Sequence, residues 1–190
     1  MAVNMIKSKI AFILFATLLL TGCGNIKTIK SFSTSFAEST SEQQARIRII
    51  SDKGMVRGVP NSECIDYALP GSGVMTAYYN GFADLNWKEL DLPDGKFPDK
   101  QFPAGAVWTE LAIDGDKPIA LHYILNEHLQ SCSVMANFTP ESGQDYEAYF
   151  KTGSVECSVN ITNISENKTS THSDKLALNQ AELCNWQDMF

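Results

Sequence analysis

From residue 45 the side chains alternate. Ala45, Ile47 and Ile49 are apolar, and Arg46 and Arg48 stand between them before Ile50. A period of two marks a strand with one face on a core and the other in water. Asp52-Lys53-Gly54 supplies a turn, and residues 55–59 read as a second strand ended by Pro60-Asn61. Further β-rich runs occupy residues 74–79, 106–113, 119–125, 133–138, 146–150 and 155–164. Residues 91–103 hold three prolines and read as loop. Two short helices are expected, over residues 84–90 and 174–184, with Ser173 as a cap for the second. Short strands separated by turn signals predict a mostly β fold, an antiparallel β-sandwich with one or two short helices.

The start of the chain breaks this pattern. Lys7 and Lys9 precede an apolar stretch over residues 10–20, and the first acidic residue is Glu38. A basic start, an apolar core of roughly 7–15 residues and a small-residue exit describe a secretory signal peptide. A spanning helix needs about 20 apolar residues. The stretch ends Leu20-Thr21-Gly22-Cys23, which resembles the lipobox of bacterial lipoproteins. The resemblance implies a diacylglyceryl group on the Cys23 sulfur, cleavage before Cys23 and a further acyl chain. Gly24 stands where an aspartate would retain an enterobacterial lipoprotein in the inner membrane, so the resemblance implies the outer membrane. Two or more acyl chains hold a protein stably on a bilayer. The expected organisation is a signal peptide over residues 1–22, a lipidated Ser/Thr-rich tether over 23–44, and a β-sandwich over 45–190 on the periplasmic face.

The net charge is −7, and loss of the leader would remove two lysines more. Phosphate binding rests on Lys and Arg, so nucleic acid is not an expected partner. With Cys23 assigned to lipid, four cysteines remain in an oxidising compartment: Cys64, Cys132, Cys157 and Cys184. An even number predicts two disulfides. The spacings are too wide for a Cys-x-x-Cys metal or redox site, and spacing alone leaves three pairings open.

The segment FTPESGQDYEAYF, residues 138–150, puts Pro140 and Gly143 just before Tyr146. It resembles the corner of immunoglobulin-like and fibronectin-type-III domains, where the chain changes sheets and the tyrosine hydroxyl bonds back to nearby backbone. The fold expected is thus immunoglobulin-, fibronectin-III- or transthyretin-like. In a flat meander Cys132 and Cys157 would lie ~9.6 Å apart, two strand spacings, beyond the ~7 Å limit for a bridge. A crossing at the corner lets them face one another through the core. That favours Cys132–Cys157, with Cys64–Cys184 tying the C-terminal segment to the early hairpin.

Chemistry-bearing patterns are sparse. Residues 69–73 lack the spacing of a nucleophile elbow and the following Lys-Ser/Thr of a phosphate loop. His122 and His128, six residues apart on a strand, stand ~20 Å from one another, too far to share a metal. The acidic loops around Asp91, Asp94 and Asp99, and around Asp114 and Asp116, follow no calcium-loop spacing. No cofactor, metal site or catalytic residue is assigned. Tyr78, Tyr79, Phe82 and Trp87 form an aromatic-rich stretch, either core or an exposed patch for a partner protein or glycan. The expected function is a non-enzymatic binding or envelope-assembly module. The alternatives are an inhibitor of host lysozyme or protease, since an acidic surface suits a cationic enzyme, and a hydrolase built on His122 or a carboxylate pair.

Overall fold

The computed structural model describes residues 33–79, 83–127, 130–153, 156–165 and 178–185. The lipobox with Cys23, Phe82, His128 and residues 173–177 of the expected second helix lie outside the described residues. In chain order the strands are β1 Gln44–Ser51, β2 Met55–Pro60, β3 Gly73–Ala77, β4 Val107–Asp114, β5 Ile119–Glu127, β6 Gln130–Phe138, β7 Asp145–Thr152, β8 Cys157–Asn163 and β9 Asn179–Gln180. They form a four-stranded sheet, β4-β1-β7-β8, and a five-stranded sheet, β3-β2-β5-β6-β9. Every pair is antiparallel except β1 with β7, which run parallel, Ile47 beside Tyr146 and Ile49 beside Ala148.

The fold is a β-sandwich. Ile47, Ile49, Leu111, Ile113, Ala148, Phe150 and Ile161 of one sheet meet Val56, Leu121, Tyr123, Leu125 and Phe138 of the other in one buried core. The chain changes sheets between β6 and β7. At that corner the Tyr146 hydroxyl accepts the Glu141 N–H at 2.9 Å, and its ring packs edge-on against Phe138. The crossing brings Cys132 of β6 within 5.7 Å (Cα–Cα) of Cys157 on β8, and the two are joined. Cys64 is joined to Cys184 across 120 residues.

Neither helix forms where residues are described. Over residues 84–90 the backbone turns at Trp87, whose φ of 67° no α-helix accepts. The Asn86 side chain clasps Ala77 instead, accepting its N–H and donating to its carbonyl. Residues 178–184 are extended: β9 pairs with Ala136 and Asn137, and Leu183 bridges to Ile65. Tertiary pairing and a disulfide overrule the local helical pattern there. A single 3-10 turn, Pro98–Lys100, stands among the described residues.

Of the wet face expected on β1 only Arg46 keeps its side chain partly in water. Arg48 and Ile50 are as buried as Ile47 and Ile49. The long loop over residues 85–106 lies across the outer face of the four-stranded sheet, with Phe97 and Phe102 packed on Ile50, Ala106 and Tyr149. A second loop, over residues 61–72, covers the outer face of the five-stranded sheet through Ile65, Tyr67 and Leu69.

The folded part also begins before Ala45. Phe36 is buried in the core. Its N–H donates to Val74 O, the Val74 N–H donates to Thr34 O, and the Ser39 N–H donates to Ala112 O. Residues 34–39 thus lace the edge of β3 to the edge of β4. Gly73 makes room for this, since a Cβ there would meet the Ser35 backbone at 2.4 Å.

The register gives the sandwich two ends. One holds the 52–54 turn, Met55, Ala77 and Ile124. The other holds Pro60, the 114–118 turn and Ile119, with Gln44 opposite Asp114.

Candidate functional site

Four places on this scaffold gather polar or exposed groups. The first is Arg48, flanked on β4 by Glu110 and on β7 by Glu147, its direct register partners. All three side chains are sealed from solvent. The guanidinium carries five N–H donors. Nε donates to Glu110 at 2.9 Å, Nη1 to Pro93 O and Glu147, and Nη2 to Leu92 O, with Glu110 2.8 Å away. Glu110 in turn accepts the N–H of Leu90 and Leu92, and Glu147 that of Lys96. Burial pushes the Glu110 carboxyl up, but those backbone donors and Arg48 outweigh it and hold it below the usual carboxylate range. Gly95 allows the close approach; a Cβ there would sit 2.3 Å from Glu147 Oε2. A carboxylate pair does come together here, but it is inaccessible and met by two cations, Arg48 between the carboxylates and Lys100 3.5 Å from Glu110. It pins a loop and offers no acid–base chemistry.

The second is His122 on β5. Its Nε2 lies 2.7 Å from the hydroxyl of exposed Ser133 on β6, and its Nδ1 is hydrogen-bonded to the Tyr67 hydroxyl from the covering loop. Beneath Tyr67 lies the buried guanidinium of Arg57, 3.4 Å from the ring centroid. Burial, then the Arg57 charge, pushes the His122 imidazole down to about 4. Burial pushes Tyr67 up to about 12 and Arg57 down to about 10. The connectivity of hydroxyl, imidazole and third group matches an activated nucleophile. The proton affinity does not, because an efficient general base titrates near the working pH. At neutral pH this imidazole is an uncharged bridge between loop and sheet.

The third is aromatic. Tyr78, Tyr79 and Trp87 are 41%, 43% and 58% exposed, the large apolar side chains that stand most clear of the core among the described residues. Tyr78 and Tyr79 meet edge to face, and the Tyr79 hydroxyl donates to Glu127 at 2.6 Å. Trp87 packs edge-on against Trp108 of β4. The Asn86 clasp on Ala77 closes the base of the loop between them, at the 52–54 end of the sandwich. Trp87 holds a left-handed backbone that costs a bulky residue about 1–3 kcal/mol.

The fourth is a cleft of about 400 Å³ at the opposite end. Pro60, Pro70, Pro118 and Ile119 are among its apolar lining, and Glu38 and Asp114 line it too. Neither His122 nor Ser133 lines it.

Sequence reading placed Tyr78, Tyr79 and Trp87 in one stretch, and the fold keeps them at one end. It missed Arg48 and Tyr67. The available signal for Arg48 was a charged residue beside an apolar or aromatic one within each of three β-rich runs: Arg48, Glu110 and Glu147. No family model matches the chain, and no curated protein matches it.

Proposed function

We propose that this protein is an outer-membrane lipoprotein, held on the periplasmic face through Cys23, that works as a non-enzymatic binding module of the cell envelope. The observation that carries the binding role is the aromatic end. Three large rings are kept in water by a loop whose base is clasped and whose Trp87 backbone is strained. Stability alone would favour tucking those rings in or replacing them, and exposed aromatics of this kind serve as anchors in protein and glycan recognition. The anchoring role rests on the resemblance of Leu20-Thr21-Gly22-Cys23 to a lipobox.

Two measurements test the two halves. The mass of the purified N-terminal peptide is expected to carry acyl chains on Cys23; an unmodified thiol there refutes the anchor. A photo-crosslinking side chain at Tyr79 is expected to trap one envelope component in living cells. The trap should fail when Tyr78 and Trp87 are changed to serine. Trapping that ignores those changes refutes the aromatic site.

A second reading is inhibition of a cationic host enzyme such as lysozyme. It is favoured by the exposed carboxylates of Asp91, Asp94 and Asp99 on the same covering loop as Trp87. Undiminished lysozyme and protease activity in the presence of excess protein removes it.

A further inference from the structure

The cleft at the 114–118 end has both apolar and acidic lining and a size in the range of small-ligand sites, roughly 300–1,000 Å³. Its acids are positioned by the fold, Glu38 accepting the Ala112 N–H and Asp114 the Ser39 hydroxyl, and their charges are met by surface cations: Glu38 pairs with the half-exposed Lys88, and Asp114 with the exposed Lys117 at 3.6 Å. Such pairs carry little net free energy and exchange readily for another cation. Asp116, Glu63 and Glu141 stand exposed around the same end, so the local field favours positive charge.

The chain itself supplies a matching occupant. Residues 25–32 read Asn-Ile-Lys-Thr-Ile-Lys-Ser-Phe: two lysines, three large apolar side chains and no acid. They lie outside the described residues and join the fold at Ser33, four positions before Ala37, which lines the cleft. The backbone bonds at Thr34 and Phe36 fix that junction beside β3. Eight residues extend at most ~3.3–3.6 Å each, a reach of about 26–29 Å. A segment attached this closely meets its site at an effective concentration in the millimolar range, so modest complementarity suffices.

We infer that residues 25–32 dock into this cleft, with Lys27 and Lys30 exchanging for Lys88 and Lys117 at Glu38 and Asp114. Docking draws the fold down toward residue 23; undocking lets it out on a longer lead. The inference does not depend on the aromatic end or on the chemistry at Cys23.

The test uses the full chain and a zero-length carbodiimide, which joins a lysine to a carboxylate only in direct contact. Peptide mapping is expected to find Lys27 or Lys30 joined to Glu38 or Asp114. In a mixture of light and heavy isotope-labelled protein the joined peptides should come from one molecule. Raising salt from about 0.1 M to about 1 M shortens the screening length from about 10 Å to about 3 Å and should cut the yield about fivefold. Independently, Lys27→Glu/Lys30→Glu should move the amide resonances of residues 37–41, 60–61 and 113–118. Products joining two molecules, lysines joined at carboxylates away from the cleft, or resonances that do not move each overturn the inference.

Discussion

Replacing Arg48 with methionine isolates the buried charge cluster, because methionine fills similar space and offers no N–H. In the native fold that one guanidinium donates to two carboxylates, Glu110 and Glu147, and to two loop carbonyls, those of Leu92 and Pro93. Removing one member of a buried ion pair costs about 3–5 kcal/mol, because the partner is left charged and dry. Domains of this kind are stable by about 5–15 kcal/mol, so the loss is a large share of the whole. At roughly 2–4 °C per kcal/mol for a domain of 150 residues or more, the midpoint of thermal unfolding should fall by about 6–20 °C. Urea unfolding followed by circular dichroism, with tryptophan fluorescence as a second probe, measures the change. The triple variant Arg48→Met/Glu110→Gln/Glu147→Gln keeps acceptors for Leu90, Leu92 and Lys96 while removing both negative charges. It should recover half or more of the loss.

The pH dependence gives a sharper check. In the native protein Glu110 is held below its ordinary 4.5, so its contribution is present above that value and disappears as pH falls through the folded one. Without Arg48, the N–H groups of Leu90 and Leu92 and the Lys100 ammonium still oppose burial, so the Glu110 carboxyl should rise from its native position without being left to burial alone. The stability that Glu110 contributes should shrink, and the fall in stability on the acid side should flatten relative to the native protein. A cost under about 1 kcal/mol, or an acid-side profile unchanged from the native one, would refute the reasoning.

His122 should stay neutral until about pH 4, read from its ring proton shifts; a midpoint near 6.5 means the imidazole is not confined between Tyr67 and Ser133. Its depressed value adds stability that is present above about 6.5 and lost as pH falls toward 4, and His122→Gln should flatten that part of the profile. Opening Cys64–Cys184 with paired alanines frees a 120-residue loop and should cost about 4.9 kcal/mol in the loop-entropy estimate, against about 3.5 for Cys132–Cys157 with its separation of 25. Reversal of that order in chemical unfolding would argue against the entropic account. Tyr146→Phe removes the acceptor of the Glu141 N–H and should cost about 1 kcal/mol, seen as a small drop in the thermal midpoint.

The strands were legible because each carries its own period-two signal and its own turn residues. Residues 119–125 and 146–150, read from sequence, fall inside β5 and β7. What covers the sheets was not legible. Arg48 looks like a solvent-facing position because its neighbours alternate; only the return of residues 90–96 over β1 and β7, far along the chain, makes it interior. The same holds for the loop residue Tyr67, whose partners Arg57 and His122 lie on two different strands. Residues 34–39 read as tether because Ser and Thr dominate them. One phenylalanine and two glycines, Gly58 and Gly73, turn the segment into part of the fold, and local composition does not register so small a signal. The expected helix over residues 84–90 failed for a related reason: Asn86 found a better partner in Ala77 than in its own turn.

Phe36 has a consequence for the order of assembly. A polypeptide that leaves the ribosome or a membrane pore amino end first releases residues 34–39 well before β3 and β4, the strands they join. Those residues must wait, unpaired, until Val74 and Ala112 have emerged and found their own neighbours. The first part out is thus among the last to be seated. A version of the protein shortened at residue 45 would lack the piece that closes the seam, and should be soluble only to the extent that an open edge and a phenylalanine-sized hole can be tolerated.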